Sequence, residues 1–89
     1  MEKHQFTSAE VLTIVRRGLF AIDDLYNGKT LLWFNLVKRE IRKHIDIEDD
    51  PMLYTLMAEI DENIEINPEA AIRVLSKLLM FVSTLETKD

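Results

Sequence analysis

The scarcity and placement of helix breakers most constrain what this chain can fold into. Its 89 residues include two Gly and two Pro, and three of these four close the dipeptides Asn27-Gly28, Asp50-Pro51 and Asn67-Pro68. Asn-Gly tolerates the left-handed backbone in which helices end. Asp-Pro and Asn-Pro signal the opposite event. The Asp or Asn side chain accepts from free backbone N–H groups, and Pro suits the first helical turn, where its missing N–H costs nothing. A further start lies at Thr7-Ser8-Ala9-Glu10, which fits a capping box between Thr7 and Glu10.

Between these marks, apolar residues recur at helical spacing. The first stripe is Val11, Ile14, Val15, Gly18, Leu19, Ile22, Leu25 and Tyr26, and the second is Leu31, Phe34, Val37, Ile41 and Ile45. Leu53, Leu56, Met57, Ile60 and Ile64 form the third, and Ala71, Val74, Leu75, Leu78, Val82 and Leu85 the fourth. Neither flank of Asn27-Gly28 alternates with period two, which excludes a β-hairpin there. The spacing predicts helices over about 8–26, 30–44, 51–63 and 68–86. Connections this short favour antiparallel neighbours, so residues 1–89 are expected to form one all-α domain, an antiparallel up-down four-helix bundle.

Composition narrows the function classes. With 47% apolar and 30% charged residues, the chain can bury a core and is not of the disordered type. It has no Cys, which excludes a disulfide scaffold and thiolate metal sites and suits the cytoplasm. The N-terminus lacks the apolar segment of a secretory signal. The longest apolar run, Ala70 to Leu85, is broken by Arg73 and Lys77 and falls short of the roughly 20 residues that span a bilayer. A net charge of −5 speaks against a general nucleic-acid binder, which normally has a basic footprint.

Sites for catalysis or metals are poorly supplied. His4 lies near the N-terminus, and His44 ends the second helix with Glu48 beyond it, fewer ligands than a metal usually needs. The acids Asp46, Glu48 and Asp50 superficially suggest a calcium loop. That loop requires Gly at its sixth position and Glu at its twelfth, where this chain has Pro51 and Met57. No cofactor is expected. Small helical chorismate mutases use converging Arg and Lys side chains, a type supplied here by Arg16, Arg17, Arg39 and Arg42. However, that fold opens with one long helix, and Asn27-Gly28 cuts this one short.

Several apolar residues miss the core stripes. Leu32 and Leu36 project opposite Phe34 and Ile41, with Trp33 on the flank, and Phe20 points away from Val11, Val15 and Ile22. Two readings follow: a wide apolar arc touching a second neighbour helix, or a surface for a partner or a second copy of the chain. The solvent access of Trp33 separates them.

The segment "IEINPEAAIRVLSKLLMFVS", residues 64–83, resembles the last-helix segment of the class IIa (pediocin-like) bacteriocin immunity proteins, particularly the enterocin A immunity group. The matching residues are Ile66, Asn67, Pro68, Arg73, Leu75 and Leu78, and "DLYNGK" at 24–29 is similar to a Leu-Tyr-Asn near the family's first helix. The resemblance implies a cytosolic, non-enzymatic antiparallel four-helix bundle. It further implies protection of a bacteriocin producer by recognition of a mannose-permease receptor with bacteriocin bound, with peripheral membrane contact at most. The candidate partner-binding residues are Phe20, Leu32, Trp33, Leu36, Arg39, Arg42, Lys43, Arg73 and Lys77. The alternative is a homo-oligomeric adaptor or regulator acting through Leu32, Trp33 and Leu36.

Folding the charges onto an up-down bundle predicts two unlike poles. Asp23, Asp24, Glu59, Asp61, Glu62, Glu65 and Glu69 gather at the Asn27-Gly28 and Glu65–Asn67 turns, against Lys29. At the other pole Lys38, Arg39, Arg42 and Lys43 face Asp46, Glu48, Asp49 and Asp50, and this basic end of the second helix is the pole expected to face a membrane or receptor.

Overall fold

A computed structural model describes residues 6–44 and 50–88, with His44 described by its backbone alone. Four helices follow in order: α1 (Ser8–Asp23), α2 (Thr30–His44), α3 (Pro51–Asn63) and α4 (Pro68–Ser83). A short 3-10 turn, Leu25–Asn27, links α1 to α2. The caps are those the sequence implies. Thr7 and Glu10 form the capping box of α1, with Glu10 Oε1 accepting from Thr7 N at 2.7 Å. Asp50 Oδ1 accepts from Met52 N at 3.0 Å and Leu53 N at 3.1 Å. Asn67 Oδ1 accepts from Ala70 N at 3.3 Å.

Two helix ends differ from expectation. The first helix stops at Asp23 rather than near residue 26, because the chain tightens into the 3-10 turn before reaching Gly28. Gly28 then takes φ 74° and donates its N–H to Leu25 O. The last helix ends at Ser83 rather than 86, where Thr84 Oγ1 turns back to donate to Phe81 O at 2.8 Å.

The helices pack as an antiparallel bundle. Thr30 Oγ1 donates to Ala21 O at 2.8 Å, and Arg17 reaches Glu40 at 3.3 Å, so α1 and α2 run oppositely. Phe6 forms a parallel bridge with Thr87, so the chain entering α1 lies beside the chain leaving α4. At the other end Leu25 and Tyr26 share a notch with Ile66, Asn67, Pro68 and Glu69, which places the two predicted turns at one pole. The close pairs are α1 with α2, α3 with α4, and α1 with α4. A radius of gyration of 12.4 Å matches the roughly 12 Å expected of a folded chain this long.

The inward face of α3 matches its expected stripe, and that of α4 matches except at two places: Leu79 is buried though outside the stripe, and Leu85 is half-buried beyond the helix end. Leu53, Leu56, Met57, Ile60, Ile64, Ala71, Val74, Leu75, Leu78 and Val82 are all buried. The first stripe is rotated from expectation, whereas Phe34, Val37 and Ile41 of the second are fully buried as expected. The buried arc of α1 is Ile14, Gly18 and Ala21, whereas Leu19 and Tyr26 are 51% and 90% exposed. In α2, Thr30 takes an inward place while Leu31 is exposed. Ile45 lies outside the described residues.

Phe6 is fully buried, and no apolar stripe predicted it. It immediately precedes the Thr7 cap, and Val11 packs against the same core cluster. These are the two positions of a hydrophobic staple, which is the signal that could have found it. Lys88 N donates to Phe6 O at 3.0 Å and completes the clasp.

Gly18 lies where α1 and α4 cross. A Cβ built on it would sit 2.4 Å from Leu79 Cδ2, so a larger residue must displace Leu79 or separate the helices. Gly18→Ala should therefore destabilise the wild-type chain in denaturant melts. In a Leu79→Ala background the same change should stabilise by up to about 1 kcal/mol, the helix preference of Ala over Gly. An unchanged sign between the two backgrounds would contradict the close approach. Phe6→Ala should cost about 3–5 kcal/mol, against about 1 kcal/mol for the Asn67→Ala cap loss.

Candidate interaction surfaces

The nine residues singled out from sequence fall on two separate faces. The first lies along the α1–α2 seam. Phe20 and Trp33 stack with ring centroids 4.8 Å apart and planes tilted by 32°. Trp33 is half-buried against the core, and its Nε1–H donates to Asp24 Oδ2 at 2.6 Å. The indole thus has an apolar body inside the seam and a satisfied polar edge. Around it Leu36 is half-buried, whereas Leu32 and Phe20 are 57% and 43% exposed. Both sequence readings are therefore partly realised: Trp33 widens the contact between two helices, and Leu32 remains on the surface.

Below this patch lies an ionic cluster centred on Glu40. Its side chain is 11% exposed, and Arg17 and Lys43 approach it at 3.3 and 3.6 Å. Helical periodicity could not have announced a carboxylate on the buried arc of α2. The signal was Arg17 on the facing helix, which supplies the opposite charge that such burial requires. Arg39 and Arg42 are exposed on the outer side of α2. With Arg16 also exposed and Arg17 engaged by Glu40, the four arginines do not converge on one pocket.

The expected charge poles are only partly assembled. Lys38 does not belong to the distal basic pole. Its ammonium sits 4.9 Å above the Phe34 ring and 2.9 Å from Asp61, so it crosses from α2 to α3. The reason is reach: its long stem lies over the core edge and carries the charge to an acid of the neighbouring helix. Asp61 is thereby neutralised near the α3 C-terminus, where the helix dipole alone would disfavour it. Asp50 caps α3. His4, Asp46, Glu48 and Asp49 lie outside the described residues.

The second face lies between α1 and α4. Val15, Leu19 and Ile22 form one wall of an apolar groove, and Ser76, Leu79, Met80, Ser83 and Thr84 form the other, enclosing about 490 Å³. Leu12 extends the first wall and is 54% exposed, while Met80 is 70% exposed. Arg73 and Lys77 are exposed two turns and one turn, respectively, before Met80 on the same side of α4. Sequence reasoning named these two cations but missed the groove. It had counted Val15, Leu19 and Ile22 into the core, and a rotation of α1 toward Gly18 leaves them at its edge.

Among the described residues, no group of three His, Cys, Asp or Glu is placed to hold a metal ion. No helix among them is long and apolar enough to cross a membrane.

The Glu40 cluster gives a measurable contrast between adjacent arginines. Arg17→Ala removes a charged hydrogen bond to a buried carboxylate and should cost about 1–3 kcal/mol in denaturant melts. Arg16→Ala should stay within about 0.5 kcal/mol, as exposed substitutions usually do. Equal effects would mean that Glu40 draws nothing from Arg17. Comparison of the chain with protein-family models, curated proteins and solved structures gives no match.

Proposed function

We propose that this chain is a non-enzymatic, cytoplasmic immunity-type protein that protects a bacteriocin-producing cell by contacting a membrane receptor with bacteriocin bound. Its resemblance to the pediocin-like immunity proteins suggests a mannose-permease receptor. The observation that carries the reading is the form of α4. Asn67 caps it, Pro68 occupies its first turn, Leu75 and Leu78 face the core, and Arg73 remains on the surface. Each residue of the resemblance in that helix thus has a place consistent with either building the bundle or meeting a partner. Arg39, Arg42 and Lys43 add an exposed basic end to α2, suited to a receptor at an anionic membrane surface.

A second reading, a homo-oligomeric adaptor, is favoured by Leu32, which lies exposed beside the Phe20–Trp33 stack. Exposed apolar residues grouped with aromatics are a common mark of a protein interface.

The immunity reading is tested by expressing the chain in a bacteriocin-sensitive strain and challenging it with a panel of class IIa peptides. Protection against at least one peptide is expected, and neutralising Arg39, Arg42 and Lys43 together should reduce it while the helical circular-dichroism signal persists. Protection against none would reject the reading. Sedimentation of wild type and Leu32→Glu addresses the adaptor: a dimer converted to a folded monomer would support it, and a wild-type monomer at high concentration would exclude it.

A further inference from the structure

We propose that the α1–α4 groove is a docking site for an acidic amphipathic helix of a partner protein. The groove shares Arg73 with the immunity reading, but its apolar walls and its test do not rest on that reading. Its floor is Leu79, and its walls are Val15, Leu19 and Ile22 on α1 and Met80 on α4. Along α1 the stripe from Leu12 to Ile22, with Leu12 and Leu19 exposed and Val15 and Ile22 half-buried, spans about 15 Å at the helical rise, three turns of a docked helix. Its members recur at helical spacing, so ridges of a third helix can seat between them. Met80 is unbranched and can adjust to the incoming side chains.

Charge selects the kind of helix. Arg16 borders the α1 wall, and Arg73 and Lys77 border the α4 wall; none of the three forms an ion pair with a described residue. Acids adjoin the groove's lining only at its ends, where Asp23 follows Ile22 and Glu86 lies two residues past Thr84. Three uncommitted cations therefore flank the apolar strip of a chain whose net charge is −5. Carboxylates on both sides of an apolar stripe complement that arrangement. A second copy does not: a two-fold contact through this groove would bring each set of cations toward its own copy.

The test uses a dye-labelled synthetic peptide of about 18 residues, with leucines on one helical stripe and glutamates flanking it, read by fluorescence anisotropy against the full chain. Saturable binding is expected, weakening with added salt. Arg73→Glu with Lys77→Glu, and separately Leu19→Gln, should each raise the dissociation constant by about tenfold or more. A peptide with lysines in place of the glutamates should bind more weakly than the parent. Absence of saturable binding, equal affinity for the two peptides, or no effect of the Arg73/Lys77 reversal would overturn the proposal. If Leu19→Gln fails to fold by circular dichroism, the exposed charge-reversal pair decides alone. A wild-type dimer that Leu19→Gln converts to a folded monomer would assign the groove to a second copy and overturn the partner proposal.

Discussion

The bundle depends on the seam where α1 meets α4. The α1–α2 and α3–α4 pairs are each hairpins of neighbouring helices, joined by short turns that keep their contacts local. The seam joins the two hairpins by backbone approach, with the Lys38–Asp61 bridge as a side-chain link between α2 and α3. Gly18 permits that approach by leaving room for Leu79. At the far end Phe6 is drawn beneath the chain leaving α4 and tied by Lys88. Residues distant in sequence thus close the structure, and their contacts must offset the loop-closure entropy that separates the hairpins.

Features that announce themselves over four residues were legible, because their chemistry is local. The Thr7–Glu10 box, Asp50-Pro51 and Asn67-Pro68 set helix starts that the structure reproduces. The stripe of α3 was equally clear, whereas on α4 Ile72, Leu79, Met80 and Phe81 lie outside the expected stripe, and Leu79 among them is buried. On α1 the excess was the difficulty. Together with Ile14, Gly18 and Ala21, the residues Leu12, Val15, Leu19, Phe20 and Ile22 cover more than half of the wheel, and periodicity alone cannot say which part turns inward. Tertiary packing decided this through the smallest residue of the stripe: Gly18 marks closest approach, and the larger residues beside it are displaced to the rim. Phe6 was obscured for another reason. Its burial depends on Thr87 and Lys88, at the opposite end of the chain.

The same division holds for charge. Sequence blocks suggested two poles, and the Asn27-Gly28 and Glu65–Asn67 turns do share an end. Blocks along the chain do not, however, specify pairs across it. Glu40 required Arg17 from another helix, and Lys38 left its own block for Asp61. Of the basic block of α2, Arg39 and Arg42 remain exposed. Ion pairing therefore removes charge from the interior sides of the helices and leaves cations on the outer faces.

One geometric choice links that outcome to the groove. Turning α1 so that Gly18 meets Leu79 buries little side-chain volume on α1 itself: Gly18 and Ala21 occupy two of its three buried positions. The larger side chains Leu12 and Leu19 are left exposed in compensation. Leu12 and Leu19 thereby forgo the stabilisation that burying a leucine gives. A branched side chain in the place of Gly18 would meet Leu79, since even a Cβ there falls 2.4 Å from Leu79 Cδ2. The sequence thus holds α1 in an orientation that keeps an apolar strip in water, bordered by Arg16, Arg73 and Lys77. Gly18 is consequently both a packing residue and the reason Leu79 can sit at the groove: a bulkier residue there would displace the Leu79 side chain or separate the helices.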